Sequence, residues 1–287
     1  MIFQLIGEGL FAWDETLDVL FNGVPMGPIT RERFKNITLE SILTHSSGLP
    51  AWFPFYTQKD SFWNVLEFVL NKYPVQEGTV YSDLGFMLLG EIINDVSGWT
   101  LQQKLDLLNS KLSTSFTYNP RDAHACVETE RGNRIEEGMC MELGLSFDGF
   151  RDRSVSIRGQ VNDGNAFYFW RGAAGHAGIF GTAGDLVKLG EFHLNDGIID
   201  GKELIPSWLA RIACRDSGGG RGLMWNLSGI FFDGLGGFGH TGFTGTSIYL
   251  CRGKSLACVI LTNRLVIEPA PDLKNFRTEI HKMALNT

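Results

Sequence analysis

Tyr81-Ser82-Asp83 and His240-Thr241-Gly242 are two short stretches of this 287-residue chain that put groups able to move protons or accept hydrogen bonds beside small residues. A phenol or an imidazole can act in proton transfer, and an ionised carboxylate accepts hydrogen bonds without donating any. The first stretch stands just before a helical pattern and the second opens a strand pattern. A third stretch, Thr44-His45-Ser46-Ser47-Gly48-Leu49-Pro50, ends a helical pattern. Singly, each has an ordinary explanation: a tyrosine at a helix start is usually core packing, and His-Thr-Gly is three common residues. Their order and separation along the chain carry the signal.

Several other chemistries are excluded. The chain has no Gly-x-Ser-x-Gly elbow, no His-Glu-x-x-His and no Walker phosphate loop. Gly234-Leu235-Gly236-Gly237-Phe238-Gly239 fits the spacing of a dinucleotide loop, but His240 and a strand follow it. A pyrophosphate site needs a helix N-terminus there, so this segment reads as a turn. His124 with Cys126 makes a poor metal site, because no further ligands follow at suitable spacing. No metal or organic cofactor is expected.

Composition narrows the class further. Apolar residues make up 44% and charged residues 20%, which suits a globular protein with ample material to bury. Acidic residues exceed basic ones, 32 to 25, and the net charge of -7 excludes a nucleic-acid binder with a clustered basic surface. Cys126, Cys140, Cys214, Cys251 and Cys258 are odd in number and widely spaced, which predicts thiols rather than a disulfide framework. No apolar run reaches the length of a membrane span, and Met1 leads into no signal-peptide pattern. Glycine is in excess, at 35 residues.

The elements that would position these groups follow from periodicity and caps. Residues 1–10 read as the last turns of an amphipathic helix with Phe3, Ile6 and Leu10 on one face, lacking an N-cap. Residues 11–36 read as loop-rich, with Pro25, Gly27 and Pro28. Helices are predicted after Thr38, over Ser61 to Leu70, from about Ser82 to Val96, and from Thr100 to about Leu108. Residues 110–165 show no clear pattern, and Thr182 to Asn195 is helical again. Gly229 to Asp233, Gly245 to Leu250 and Leu256 to Leu261 read as strands, with a turn at Arg252-Gly253-Lys254 and a closing helix over Leu273 to Ala284.

Together these motifs resemble the serine β-lactamase and penicillin-binding-protein superfamily, in its class C-like branch of β-lactamases, D,D-peptidases and esterases. Ile37 to Leu49 is similar to that branch's helix and turn, and Gly78-Thr79-Val80-Tyr81-Ser82-Asp83-Leu84-Gly85 to its Tyr-x-Asn box. Ala174-Gly175-His176-Ala177-Gly178-Ile179-Phe180 with Thr182 to Leu186 resembles its mid-chain signature. Phe238 to Thr246 resembles its third box in a histidine variant, and Leu261-Thr262-Asn263-Arg264 the end of its final strand. The resemblance covers nearly the whole chain. It implies an α/β (α+β) fold: an antiparallel sheet flanked by helices, at about 191–287, and a largely helical subdomain, at about 30–190. A cleft lined by Tyr81, Asp83 and His240 is expected between them.

The chemistry implied is acyl transfer through a serine ester, on an ester, amide or β-lactam. The resemblance makes Tyr81 the phenolic base and gives His240 the place of the third box's cation. Phe243, after Thr241 and Gly242, would supply a backbone N–H to the oxyanion hole. Asp83 stands where the family has Asn, so a group that can donate is replaced by one that only accepts. Its negative charge would oppose an anionic substrate unless His240 is protonated. His176 either lines the pocket or is a hydrogen-bonded loop residue, while Trp52, Phe53 and Phe55 either wall the site or form core. His45, Ser46 and Ser47 are read as structural.

The family's Ser-x-x-Lys is absent, since no serine here has lysine three positions on. In the resemblance that motif would fall roughly ten residues before Met1. The expectation is therefore a truncated or mis-started chain, lacking the first strands and the nucleophile, marginally stable and catalytically inactive. The alternatives are a non-catalytic relative that binds a small molecule or cell-wall peptide, or a non-functional gene fragment. Family members are often periplasmic or secreted.

Overall fold

The computed structural model describes residues 1–231, 234 and 236–287. They form two compact units. The first comprises Met1–Lys104, Arg131–Val155 and Gln160–Gly178, and the second Leu105–Glu130, Ser156–Gly159 and Ile179–Thr287.

The first unit is helical. In chain order it contains α1 (Ile2–Gly7), α2 (Leu17–Leu20), α3 (Pro28–Phe34), α4 (Leu39–Leu43), α5 (Phe62–Lys72) and α6 (Asp83–Glu91). The division between units falls within α7 (Leu101–Leu112), and α8 (Arg134–Glu142) returns to the first unit. Side-chain caps set several starts. Thr38 and Ser41 form a reciprocal capping box on α4, and the Ser61 and Ser82 hydroxyls accept from Asn64 N–H and Gly85 N–H at the heads of α5 and α6. On α5 the buried residues are Phe62, Val65, Leu66, Val69 and Leu70, a single stripe at helical spacing. α6 is buried on most sides, through Leu84, Gly85, Met87, Leu88 and Leu89.

In the second unit, α9 (Ala183–Leu194) begins with a Thr182–Asp185 capping box. A two-residue hairpin, β1 (Ile198–Ile199) and β2 (Lys202–Glu203), and α10 (Ser207–Ile212) follow. The meander of β3 (Gly237–Thr241), β4 (Ser247–Cys251) and β5 (Leu256–Ile260) pairs antiparallel in that order, with His240 opposite Ile248 and Tyr249 opposite Cys258. Strand alternation sends neighbouring side chains to opposite faces. Gly190 of α9 lies against Ile248, Leu250 and Ala257. Tyr249, Cys251 and Cys258 face the other way, toward Leu285 of the terminal helix α11 (Lys274–Leu285). The small sheet is thus covered on both faces, and all five cysteines are free thiols.

The structure corrects several expectations. α1 is shorter than predicted, and its buried residues are Ile2, Phe3, Gln4 and Leu5, while Leu10 is exposed. Residues 11–36 hold two short helices rather than loop alone. Residues 110–165 contain α8. The Ser82–Val96 pattern ends in a π-helical turn over Ile92–Val96. Gly229–Phe231 is a 3-10 turn, not a strand, and Phe232 and Asp233 of that expectation lie outside the described residues, as does Leu235 of the glycine-rich segment.

Candidate active site

Tyr81 is held by the turn that ends α4. His45 follows the helix C-cap with φ of 59°, a left-handed conformation that commonly closes helices. Its carbonyl accepts Val80 N–H at 2.9 Å, and its Nδ1 accepts Ser82 N–H at 3.0 Å. Accepting at Nδ1 requires that the ring's proton sit on Nε2. The imidazole lies 4.4 Å from the Tyr81 ring and 5.1 Å from Phe86. Ser82 Oγ donates to Pro50 O at 2.7 Å, and Asp83 N–H donates to Ala51 O at 2.8 Å. Residues 80–83 are therefore laced along the His45–Ala51 loop. Tyr81 between them is 47% exposed, so its phenol is presented to solvent rather than packed in core.

Asp83 is the first residue of α6. Burial pushes its carboxyl up to about 6; His176 acts against that rise and Asp163 adds to it. Among the described residues no group donates a hydrogen bond to the Asp83 carboxylate. His176 Nε2 sits 2.9 Å from Asp163 Oδ1. Burial works to lower the His176 pKa, but the charge and hydrogen bond of Asp163 outweigh it, and the ring titrates above its ordinary value. Asp163 is likewise penalised by burial, but His176 and the N–H groups of Ala166 and Asn165 hold its pKa below the usual carboxylate range. Each partner thus favours the charged form of the other.

Two features fix that pair. Gly175 runs against the α6 backbone so closely that a Cβ there would overlap the Phe86 carbonyl oxygen. Asn165 Oδ1 accepts Phe55 N–H at 2.7 Å, and its Nδ2 donates to Phe53 O at 2.9 Å. Phe53 and Phe55 are fully buried, so they are core and not an exposed wall.

In the second unit, His240 lies on β3 with Nδ1 2.9 Å from Thr241 O. A carbonyl only accepts, so Nδ1 carries the proton. Burial lowers the His240 pKa; the Thr241 carbonyl opposes that, and the charge of Arg221 reinforces it. The ring is neutral at pH 7, so the condition under which His240 would offset Asp83 is not met. The described cation that acts on Asp83 is His176.

After His240 the chain turns tightly. Gly242 N–H donates to Thr246 O at 2.7 Å, and Arg277 Nη2 donates to Gly242 O at 3.3 Å and Thr246 O at 2.9 Å. A Cβ on Gly242 would overlap Thr246 Oγ1. Phe243 is half exposed, its carbonyl accepts from Arg264 Nε at 2.8 Å, and its own N–H finds no acceptor among the described residues.

The family model described as Beta-lactamase matches residues 1–281. The chain belongs to the β-lactamase family. It is 30% identical over 265 residues to an N-acetylmuramyl-L-alanine amidase of Bacillus subtilis strain 168, covering 81% of this chain and 58% of that protein. It is 26% identical over 288 residues to an Escherichia coli K12 protein named as a candidate D-alanyl-D-alanine carboxypeptidase, covering 91% and 65%. The chain thus spans about three fifths of the length of these relatives. A class C β-lactamase of Rhodobacter sphaeroides superposes with a TM-score of 0.66 at 15% identity, covering 99% of this chain and 82% of the other, which shows a β-lactamase-like fold.

Of the predicted site residues, Tyr81 and Asp83 share one anchored segment in the first unit, where His176 acts on Asp83 electrostatically, and His240, Thr241, Gly242 and Phe243 follow one another at the end of β3 in the second. His45 has the structural place its sequence position suggests, and the structure adds its ring contact with Tyr81. One neighbour of the predicted residues is not legible in the sequence. Asp163 lies in a stretch without periodicity, where nothing marked it.

Proposed function

We propose that these residues are the proton-transfer and substrate-binding groups of an acyl-transfer hydrolase acting on an ester, amide or β-lactam. Cell-wall peptides are the first substrate class to consider, given the names of the amidase and carboxypeptidase relatives. The observation that carries this reading is Tyr81: half-exposed, yet fixed on both sides by main-chain bonds to the His45–Ala51 loop.

In the reaction a serine hydroxyl attacks the carbonyl carbon and passes its proton to Tyr81 Oη. A neighbouring cation, such as the lysine of Ser-x-x-Lys, must hold Tyr81 Oη as phenolate, and without it Tyr81 stays protonated. Tyr81 then returns the proton to the leaving group as its bond to the carbonyl carbon breaks. The second step repeats this with water and releases the acid. The unpaired Phe243 N–H supports its part as a donor to the carbonyl oxygen as negative charge develops there. Neutral His240 would contribute through hydrogen bonding rather than through fixed charge. The 287 residues supply no Ser-x-x-Lys, so this chain alone is expected not to turn over substrate. The second reading, a relative that binds ligand without cleaving it, is favoured by Asp83 in the place of Asn.

The test uses nitrocefin, p-nitrophenyl esters and a fluorescent penicillin. The 287-residue chain should be silent in all three. A version that supplies Ser-x-x-Lys should become covalently labelled, and Tyr81→Phe in that version should lose at least about a hundredfold in acylation rate, as removal of a general base does. Binding of the penicillin without any covalent adduct in the version that carries Ser-x-x-Lys would establish the non-catalytic reading instead.

A further inference from the structure

The turn between β3 and β4 is held from outside by two arginines. Arg277, on α11, donates from Nη2 to Gly242 O at 3.3 Å and to Thr246 O at 2.9 Å. Arg264, beyond β5, donates from Nε to Phe243 O at 2.8 Å, and its guanidinium lies 5.4 Å from the centre of the Phe243 ring. Inside the turn, Gly242 N–H donates to Thr246 O at 2.7 Å and Gly245 N–H to Gly242 O at 3.1 Å. Those two bonds shape the turn but travel with it. The arginines tie it to the rest of the second unit.

A trans peptide is planar, so its N–H points opposite to its C=O. Gly242 C=O and Phe243 N–H belong to one peptide. Arg277 holds the oxygen, and the N–H is thereby turned the other way, where no described residue accepts it. Phe243 C=O and Thr244 N–H belong to the next peptide, and Arg264 holds that one. Arg277 gives up a bond of its own in this arrangement, since its Nε is buried without a partner among the described residues. A buried donor left unpaired calls for an explanation, and the aim of Nη2 at two carbonyls supplies one. A cation on the carbonyl also polarises the peptide and strengthens its N–H as a donor.

We propose that Arg277 is a positioning residue for acyl transfer, which aims the Phe243 N–H at the carbonyl oxygen that gains negative charge. This rests on the reading of Phe243 as an oxyanion donor. Arg264 governs the neighbouring peptide and not that aim.

The experiment compares Arg277→Met with Arg264→Met in the full 287-residue chain by residual dipolar couplings, which report the direction of each N–H. Arg277→Met should turn the Phe243 N–H by at least about 20°, beyond the ordinary scatter of backbone geometry, and leave Thr244 N–H in place. Arg264→Met should do the reverse. A turn that is merely loosened would move both N–H groups in both variants, and that result overturns the proposal. A Phe243 N–H that keeps its direction without Arg277 overturns it as well. If Arg277→Met does not fold, Arg277→Gln, whose amide stops short of both carbonyls, is read in the same way.

In the version that supplies Ser-x-x-Lys, Arg277→Met should lower the acylation rate constant for a p-nitrophenyl ester at least about tenfold. The apparent affinity for the ester should stay within about twofold, because an oxyanion contact acts in the transition state. An N–H that turns with no fall in rate removes Phe243 from the oxyanion site, and the proposal with it. An N–H that stays in place while the rate falls leaves the reading of Phe243 intact and overturns only the part given to Arg277.

Discussion

An asparagine at position 83 would be easier to fold than the aspartate that is there. The Asp83 carboxyl is pushed by burial from an ordinary 3.8 up to about 6. Below the lower value both folded and unfolded chains hold the proton. Between the two, the unfolded chain releases it and the folded chain keeps it, so stability falls as pH rises; above about 6 the loss is constant. The shift corresponds to about 2–3 kcal/mol at pH 7.5 and about 1 kcal/mol at pH 4.5. Asp83→Asn should therefore be more stable than wild type by that larger amount at pH 7.5 in urea unfolding, with the gap narrowing at pH 4.5. An equal gap at both pH values, or a destabilised variant, would show that the carboxylate is not strained. Stability given up at one residue is what a binding group looks like. The departure of Asp83 from the Tyr-x-Asn pattern was plain in the sequence. Its partners were less so, because the contact between His176 and Asp163 joins two loops across a segment with no periodic pattern.

At the scale of elements, caps made the site legible and glycines placed it. Thr38, Ser61, Ser82 and Thr182 each precede a helix and each cap it through the side chain, so the helix starts could be read locally. What could not be read is where one element touches another. Gly175 has no positive φ to explain it; it is there because the α6 backbone leaves no room for a Cβ. Gly138, inside α8, faces nothing within 4 Å and has no positive φ, so its freedom is not used. The two predict opposite outcomes for the same change. Gly138→Ala should stabilise the chain by about 0.5–1 kcal/mol through helix propensity alone. Gly175→Ala must displace either α6 or the His176 turn and should cost about 1–3 kcal/mol, the range for overpacking. Denaturant midpoints of the two variants measure both, and a neutral Gly175→Ala would mean that the turn does not bear on α6. α8 escaped sequence reading for a related reason: its glycine and its neighbouring polar segments hide a short helix with only Glu136 and Cys140 buried.

Across the whole molecule, the two units hold titratable groups of opposite preference. In the second, His193, His240 and His281 are all lowered, each chiefly by burial, and His193 falls to about 3. A histidine kept neutral in the fold costs nothing above its unfolded value of about 6.5. Below that value the unfolded chain gains a proton that the folded chain refuses, and stability drops. At pH 5.5 His193 alone costs about 1 kcal/mol, and His240 and His281 act in the same direction. In the first unit, burial opposes the His176 charge but Asp163 prevails, so the folded state binds that proton first. Its contribution is fully present below about 6.5 and is lost as pH rises through the raised value. Asp83 has the same sign, since its penalty fades as pH falls through about 6. Acidification from pH 7.5 to 5.5 should therefore strengthen the surroundings of α6 while weakening β3, β4 and β5. Amide hydrogen exchange at the two pH values, corrected for intrinsic chemical rates, reads both at once. Protection should rise for residues 84–91 and fall for residues 238–241 and 247–251. A change of the same sign in both sets would refute the assignment, and His193→Phe, which removes a buried titrating group, should blunt the loss in the strands without touching the gain in α6.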